Sequence, residues 1–132
     1  PPPLRVSTVL VLSVAPVVLV PVASHFVSRT ALSQLLKSVD VLKELLNPDL
    51  QVSGILACRV DVRTRLSLDV VDELRKKFGA QVFRTIVREN VRLAECPSFH
   101  KPITLYDRRS AGAEDYLSLA AEVIRHERRN KK

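Results

Sequence analysis

Asp61, Arg63 and Arg65 sit in the run Asp61-Val-Arg-Thr-Arg65, directly after the apolar stretch Gln51-Val-Ser-Gly-Ile-Leu-Ala-Cys-Arg-Val60. An apolar run of that length with a polar start suits a strand buried on both faces, here over residues 52–60. In open parallel sheets ligands gather where strands give way to loops at their carboxyl ends. The three charged residues are therefore expected on a working edge, where arginines can neutralise phosphates without reading bases. The plainer alternative is surface pairing of Arg63 with Asp61 and of Arg92 with Glu89 or Glu95, worth little to stability. No catalytic constellation accompanies them. The chain has no Gly-x-x-x-x-Gly-Lys, Gly-x-Ser-x-Gly or His-Glu-x-x-His, the spacings that build phosphate loops, nucleophile elbows and zinc proteases. With 3 glycines, no loop can bring backbone amides closely around a polyphosphate. Cys58, Cys96, His25, His100 and His126 show no zinc-ligand spacing, and two cysteines fit a reducing compartment better than a disulfide framework. Neither a catalytic residue nor a metal site is expected.

The elements that must position this edge follow from periodicity. At 132 residues the chain is one domain or a piece of one, and 46% hydrophobic with 27% charged residues is globular. It begins with proline and contains no methionine, so an incomplete reading frame is expected. A net charge of +7 favours anionic partners such as nucleic acid, nucleotide phosphates or an anionic membrane. Residues 4–22 could pass for a signal peptide or membrane segment. The run between Val9 and Val22 is too short to span about 30 Å as a helix, however, and Pro16 and Pro21 interrupt it. The β-branched run 17–20 suits a buried strand, and no membrane role is expected. Over 30–46, Leu32, Leu35, Leu36, Val39, Leu42, Leu45 and Leu46 form one face of a helix that Asn47-Pro48-Asp49 ends. Ser67 is expected to cap a helix through 78 with Leu68, Val71, Leu74 and Phe78 inward, Arg75-Lys-Lys77 in its last turn and Gly79 beyond it. Residues 81–87 read as another strand. A last helix over 112–128 is expected to turn Tyr116, Leu117, Ala120, Ala121 and Ile124 inward, ahead of a solvated basic tail, 128–132. Strands alternating with helices over short links mark an α/β fold, a parallel sheet covered by helices.

One longer segment carries a resemblance: Thr85-Ile-Val-Arg-Glu-Asn-Val-Arg-Leu-Ala-Glu-Cys-Pro-Ser-Phe-His-Lys-Pro-Ile-Thr-Leu-Tyr-Asp107. It resembles the late segment of the ParA-type, Soj-like chromosome and plasmid partitioning ATPases, whose pattern runs Thr-x-Ile-Pro-Arg-Asn-Val-Arg-Leu-Ser-Glu-Ala-Pro-Ser-x-Gly-Lys-Pro and then Tyr-Asp. Asp61-Val-Arg-Thr-Arg-Leu-Ser67 is similar to the family's Asp-x-Arg-Thr-x-Leu-Ser. Ser110-Ala-Gly-Ala-Glu-Asp-Tyr116 is similar to its Ser-x-Gly-Ala-x-x-Tyr, and Leu32-Ser-Gln-Leu-Leu36 also matches. Pro1-Pro2 through Pro21-Val22 aligns with the proline pair after the Walker B-like aspartate, the following helix and the next strand.

The resemblance implies the C-terminal half of a deviant-Walker P-loop NTPase domain over residues 1–127, lacking the N-terminal phosphate-loop strands. Family members bind ATP and Mg between two subunits, bind DNA nonspecifically and hydrolyse ATP when a ParB-like partner stimulates them. The phosphate loop and the Walker B-like aspartate would lie before Pro1, so no hydrolysis is expected of this chain. A cytoplasmic, nucleoid-associated homodimer is the implied setting. Position by position, Arg63 and Arg92 match DNA-contacting arginines, with Lys101 and Arg84 as lesser DNA contacts. The family's adenine pocket corresponds to Cys58-Arg59-Val60 and Val87-Arg88-Glu89-Asn90, which makes Cys58, Arg59, Asp61, Val87 and Asn90 the implied nucleotide-binding residues. Departures are visible. Arg88-Glu89 replaces Pro-Arg, the stretch 23–31 loses the family's Gln, Glu and Gly, and His100 replaces the glycine before Lys101, a strained choice if that turn needs a positive φ. A different class of reading is a noncatalytic, degenerate interaction module that packs on another chain through its amphipathic helix, 30–46.

Overall fold

The computed structural model describes residues 5–24 and 29–130, without the side chains of Arg29 and Asn130. Pro1, Pro2, His25 and Lys131-Lys132 lie outside the described residues, so the expectations resting on them go no further. The elements run α1 (Val6–Leu12), β1 (Val17–Ala23), α2 (Arg29–Leu45), β2 (Gln51–Cys58), α3 (Arg65–Phe78), α4 (Val91–Glu95), α5 (Ile103–Tyr106) and α6 (Ala111–Asn130). β1 and β2 pair in parallel, from Val17 beside Gln51 to Ala23 beside Cys58. The β-branched run of β1 adopts the strand read from it, and Pro21 lies on a strand that pairs on one side only among the described residues, where a missing N–H is tolerated.

Alternation along β2 divides the core. Ile55 and Ala57 face α2 and α3 and pack with Val20, Leu32, Val71 and Leu74. Leu56 and Cys58 face the other way, toward Phe83, Val87 and Leu119 of α6. The result is helices on both faces of a parallel sheet, as the alternating sequence pattern requires. Asn47, buried just past the end of α2, donates to the carbonyls of Leu12 and Ala15 at 3.0 and 2.8 Å. One amide thereby ties the helix terminus to the entry of β1.

The structure corrects the expected third strand over 81–87. Residues 79–81 form a 3₁₀ turn, and the extended chain beyond it meets β2 and the residues just after it through isolated parallel bridges, Ile55 with Val82 and Val60 with Arg88, and not as a strand. Phe83 and Val87 donate to Ile55 and Ala57, each at 2.9 Å. Between them the N–H groups of Arg84 and Thr85 turn outward and donate to the two carboxylate oxygens of Glu122, at 2.8 and 2.9 Å. A helix side chain thus replaces a neighbouring strand. The expected inward face of α6 is corrected for the same reason. Tyr116, Leu117, Ala120, Ala121 and Ile124 are exposed, whereas Ala113, Asp115, Leu119 and Glu122 are buried. Buried carboxylates are tolerated there because backbone donors satisfy them. On α3 the cap is Thr64, not Ser67: its hydroxyl accepts from Ser67 N at 3.4 Å. Ser67 is buried and Leu68 exposed, so the helix is rotated from the face expected for it.

Candidate nucleic-acid and nucleotide interface

The carboxyl end of β2 is shaped by a break. Arg59 takes φ 51, the left-handed region, and leaves the ladder. Ser24 holds the break from β1, its N–H donating to Cys58 O at 3.0 Å and its hydroxyl to Arg59 O at 2.8 Å. Val60 then rejoins, donating to Val87 O and accepting from Glu89 N. This bridging brings the loop after β2 beside residues 88–92, so Arg63 and Arg92 emerge at the same end of the sheet.

Each arginine is held locally. Asp61 accepts from the Arg63 backbone at 3.1 Å and from its guanidinium at 2.9 and 3.0 Å. The backbone carbonyl of Asp61 accepts from Thr64. The Asp61 hydrogen bond raises the Arg63 pKa, while the side chain stays 85% exposed. Asn90 caps α4 by accepting from Arg92 N at 2.9 Å. The Arg92 guanidinium reaches Glu95 at 3.1 Å and Asp107 at 3.6 Å and remains 56% exposed. Tyr106 donates to the same Glu95 oxygen at 2.8 Å and stacks on Phe99, centroids 4.9 Å apart. That donation, with Arg92 behind it, holds the Glu95 carboxyl below its ordinary range. Both surface pairings anticipated for these arginines are therefore present, with Asp107 added. Exposed pairs of this kind exchange partners at little cost, so they position the arginines without consuming them. Lys101 follows in the same loop cluster, exposed, after a left-handed His100 at φ 52.

The five nucleotide-binding candidates converge on this end but differ in what they offer. Val87 is a buried wall residue. Cys58 is half-buried with its thiol pKa pushed up by burial, so it packs rather than reacts. The backbone groups joining Val60 to Val87 and Glu89 are spent on each other. Asn90 is held as the α4 cap, and Asp61 and Glu89 set negative charge beside Arg63 and Arg59. Arg88, at the place of the family's proline, turns away altogether. Its guanidinium binds Asp115 at 2.7 to 3.0 Å and Glu114 at 2.7 Å, and its N–H binds Asp115 at 2.9 Å. Sequence reasoning missed this clamp, because both its carboxylates lie on α6, far along the chain from Arg88. Among the described residues no group of three or more His, Cys, Asp or Glu side chains could hold a metal ion. Among them, too, no helix is long and apolar enough to cross a membrane.

No family model matches the chain. It is 45% identical to the chromosome partitioning protein ParA of Myxococcus xanthus over 96% of this chain and 45% of that protein. Against the sporulation initiation inhibitor protein Soj of Bacillus subtilis it is 44% identical over 93% of the chain and 49% of the relative. Against the chromosome-partitioning ATPase Soj of Thermus thermophilus the figures are 40%, 94% and 50%. The chain spans about half the length of the curated relatives it matches. Such relatives imply a P-loop NTPase fold, of which the parallel strands and flanking helices here make up a part.

Proposed function

We propose, from the premise that this chain is homologous to the ParA/Soj chromosome partitioning proteins along nearly its whole length, that it is the DNA-facing half of a partitioning ATPase. Arg63 and Arg92 take the phosphates of nonspecific DNA, with Lys101 beside them. The observation carrying this reading is the emergence of both arginines at one end of the parallel strands, exposed and loosely paired. Cys58, Arg59, Asp61, Val87 and Asn90 form the base-binding edge for ATP, whose phosphates and Mg would be held outside these residues. The sequence contains no phosphate loop, so this chain by itself does not hydrolyse ATP. A ParB-like partner and a second copy are the proposed protein partners, in a cytoplasmic, nucleoid-associated setting; the proposed domain covers 1–127, with 128–132 as a basic appendage.

Docking of another chain through α2 is the weaker reading. Leu32 and Val39 of that helix are buried in this chain's own core. Filter binding of a duplex across a salt series tests the DNA reading. Phosphate contacts predict affinity that falls with ionic strength, and a slope reduced by about 2 in Arg63→Ala with Arg92→Ala. Affinity indifferent to salt, or unchanged in that variant, rejects it.

A further inference from the structure

A groove of about 640 Å³ lies between the ends of α3 and α6, lined by Arg75, Arg84, Arg125, Arg128 and Arg129 around Glu122 and His126. We propose that this groove is a second site for a nucleic-acid phosphate backbone, at the opposite end of the sheet from Arg63 and Arg92. The separation follows from register. The groove flanks Val82, which bridges Ile55, whereas the Arg63 loop follows Val60, which bridges Arg88. Five residues of chain, most of them strand, separate the two bridges, at most about 16 Å at 3.3 Å per residue.

Charge and chemistry point to phosphate. No ion pair engages Arg84, Arg125, Arg128 or Arg129 among the described residues, and Arg75 donates to the Arg84 carbonyl. The one carboxylate in the lining, Glu122, is buried with both oxygens occupied by backbone N–H groups, and no groove arginine is paired with it among the described residues. Its neighbour His126 stacks on Phe83 with centroids 5.2 Å apart. Arg125, Arg128 and Arg129 stand three and four residues apart, on one flank of the helix, and the guanidinium fork matches phosphate geometry. A helix C-terminus favours cations in any case, but that effect does not gather arginines from three separate segments around one groove. The apolar lining is only Gly79, Ala80 and Val82, which leaves no pocket for the aromatic or aliphatic anchor of a peptide partner. Leu117 and Ile124, which a membrane surface would need, are not in the lining.

The test uses the whole chain, a fluorescein-labelled duplex and a salt series read by anisotropy. Arg125→Gln with Arg128→Gln and Arg129→Gln lowers the salt slope by about 2 to 3, three phosphates at about 0.9 each, and the corresponding lysine variant restores it. Donor- and acceptor-labelled duplexes mixed with the chain show energy transfer, lost in the glutamine variant. An unchanged slope, a loss that lysines fail to restore, or binding of polyglutamate or phosphatidylserine vesicles in place of the duplex overturns the site. This inference stands apart from the proposed edge contact. If Arg63→Ala with Arg92→Ala changes nothing while the glutamine variant weakens binding, the edge contact falls and the groove remains. The reverse pattern removes the groove alone.

Discussion

His100 holds φ 52 at the end of a 3₁₀ turn, where its N–H donates to the Pro97 carbonyl. A β-carbon in the left-handed region costs about 1 kcal/mol, partly offset when glycine is the alternative because glycine loses more chain entropy on folding. His100→Gly is expected to raise stability by about 0.5 kcal/mol, read as a shift in the urea midpoint at constant slope. Glu122 is a second residue whose environment sets its chemistry. Burial pushes its carboxyl up, but the N–H groups of Arg84 and Thr85 and the nearby His126 outweigh this and hold it below its ordinary 4.5. A carboxylate with a depressed folded pKa stabilises fully above its unfolded value, and the stabilisation is lost as pH falls through the folded one. The wild-type urea midpoint is therefore expected to decline as pH drops below about 4.5, with a shallower decline in Glu122→Gln. At pH 7 that variant loses about 1 to 2 kcal/mol, since an amide oxygen accepts less strongly than a carboxylate and its NH₂ faces one of the two backbone donors, which is left without an acceptor. Equal acid sensitivity in the two proteins would remove Glu122 from the explanation.

Among elements, β2 and the bridged segment 82–88 approach so closely that Gly54 has no room for a side chain. A β-carbon there would lie 2.7 Å from the Phe83 ring and 3.0 Å from Gln81 O. Phe83 is fully buried and cannot withdraw, so Gly54→Ala is expected to destabilise by about 1 to 3 kcal/mol through overpacking. Chemical denaturation measures it, and a neutral result would mean the segment yields easily. This junction also marks where sequence reading stops. Helices α2 and α3 and the strands β1 and β2 were legible from apolar spacing, and their parallel sense from the alternation of strands and helices over short links. The third strand was overread, since nothing local in Arg84-Thr85 announces that a carboxylate 37 or 38 residues later will take their N–H groups. The face of α6 was misassigned for a related reason. Apolar Tyr116, Leu117 and Ile124 outweigh Asp115 and Glu122 in any hydrophobic count, yet the acidic pair is the buried one because it satisfies backbone donors. At the candidate site, the segments carrying Arg63 and Arg92 were legible as motifs, and their local pairings partly so, although Arg92 stands on the short helix α4 and not in a loop. The Arg88 clamp was hidden because both its carboxylates lie on another element.

At the scale of the whole molecule, the described residues leave one side of the sheet uncovered. Among the described residues β1 pairs with β2 alone, and α1 just before it in the chain presents Val6 at 76% exposure with Leu10 and Val11 also exposed, followed by Val14 at 80% in the link to β1. Only Leu12 of that helix is buried, against Val39 and Leu50. An unpaired strand edge flanked by a run of exposed apolar side chains is a surface that seeks cover. The relatives are about twice as long as this chain, so in them further chain is available to supply it. For the 132-residue chain in solution, the available cover is a second copy. Sedimentation velocity is accordingly expected to show reversible self-association that grows with concentration. Leu10→Glu with Val14→Glu should shift the distribution to monomer and, because neither side chain belongs to a packed cluster, should change unfolding stability by no more than about 0.5 kcal/mol per site. A sharp monomer peak for the wild type at every concentration would mean that α1 and the β1 edge are not sticky in water. Association that persists in the double variant would place the contact elsewhere, with the exposed Tyr116, Leu117 and Ile124 face of α6 the next surface to substitute.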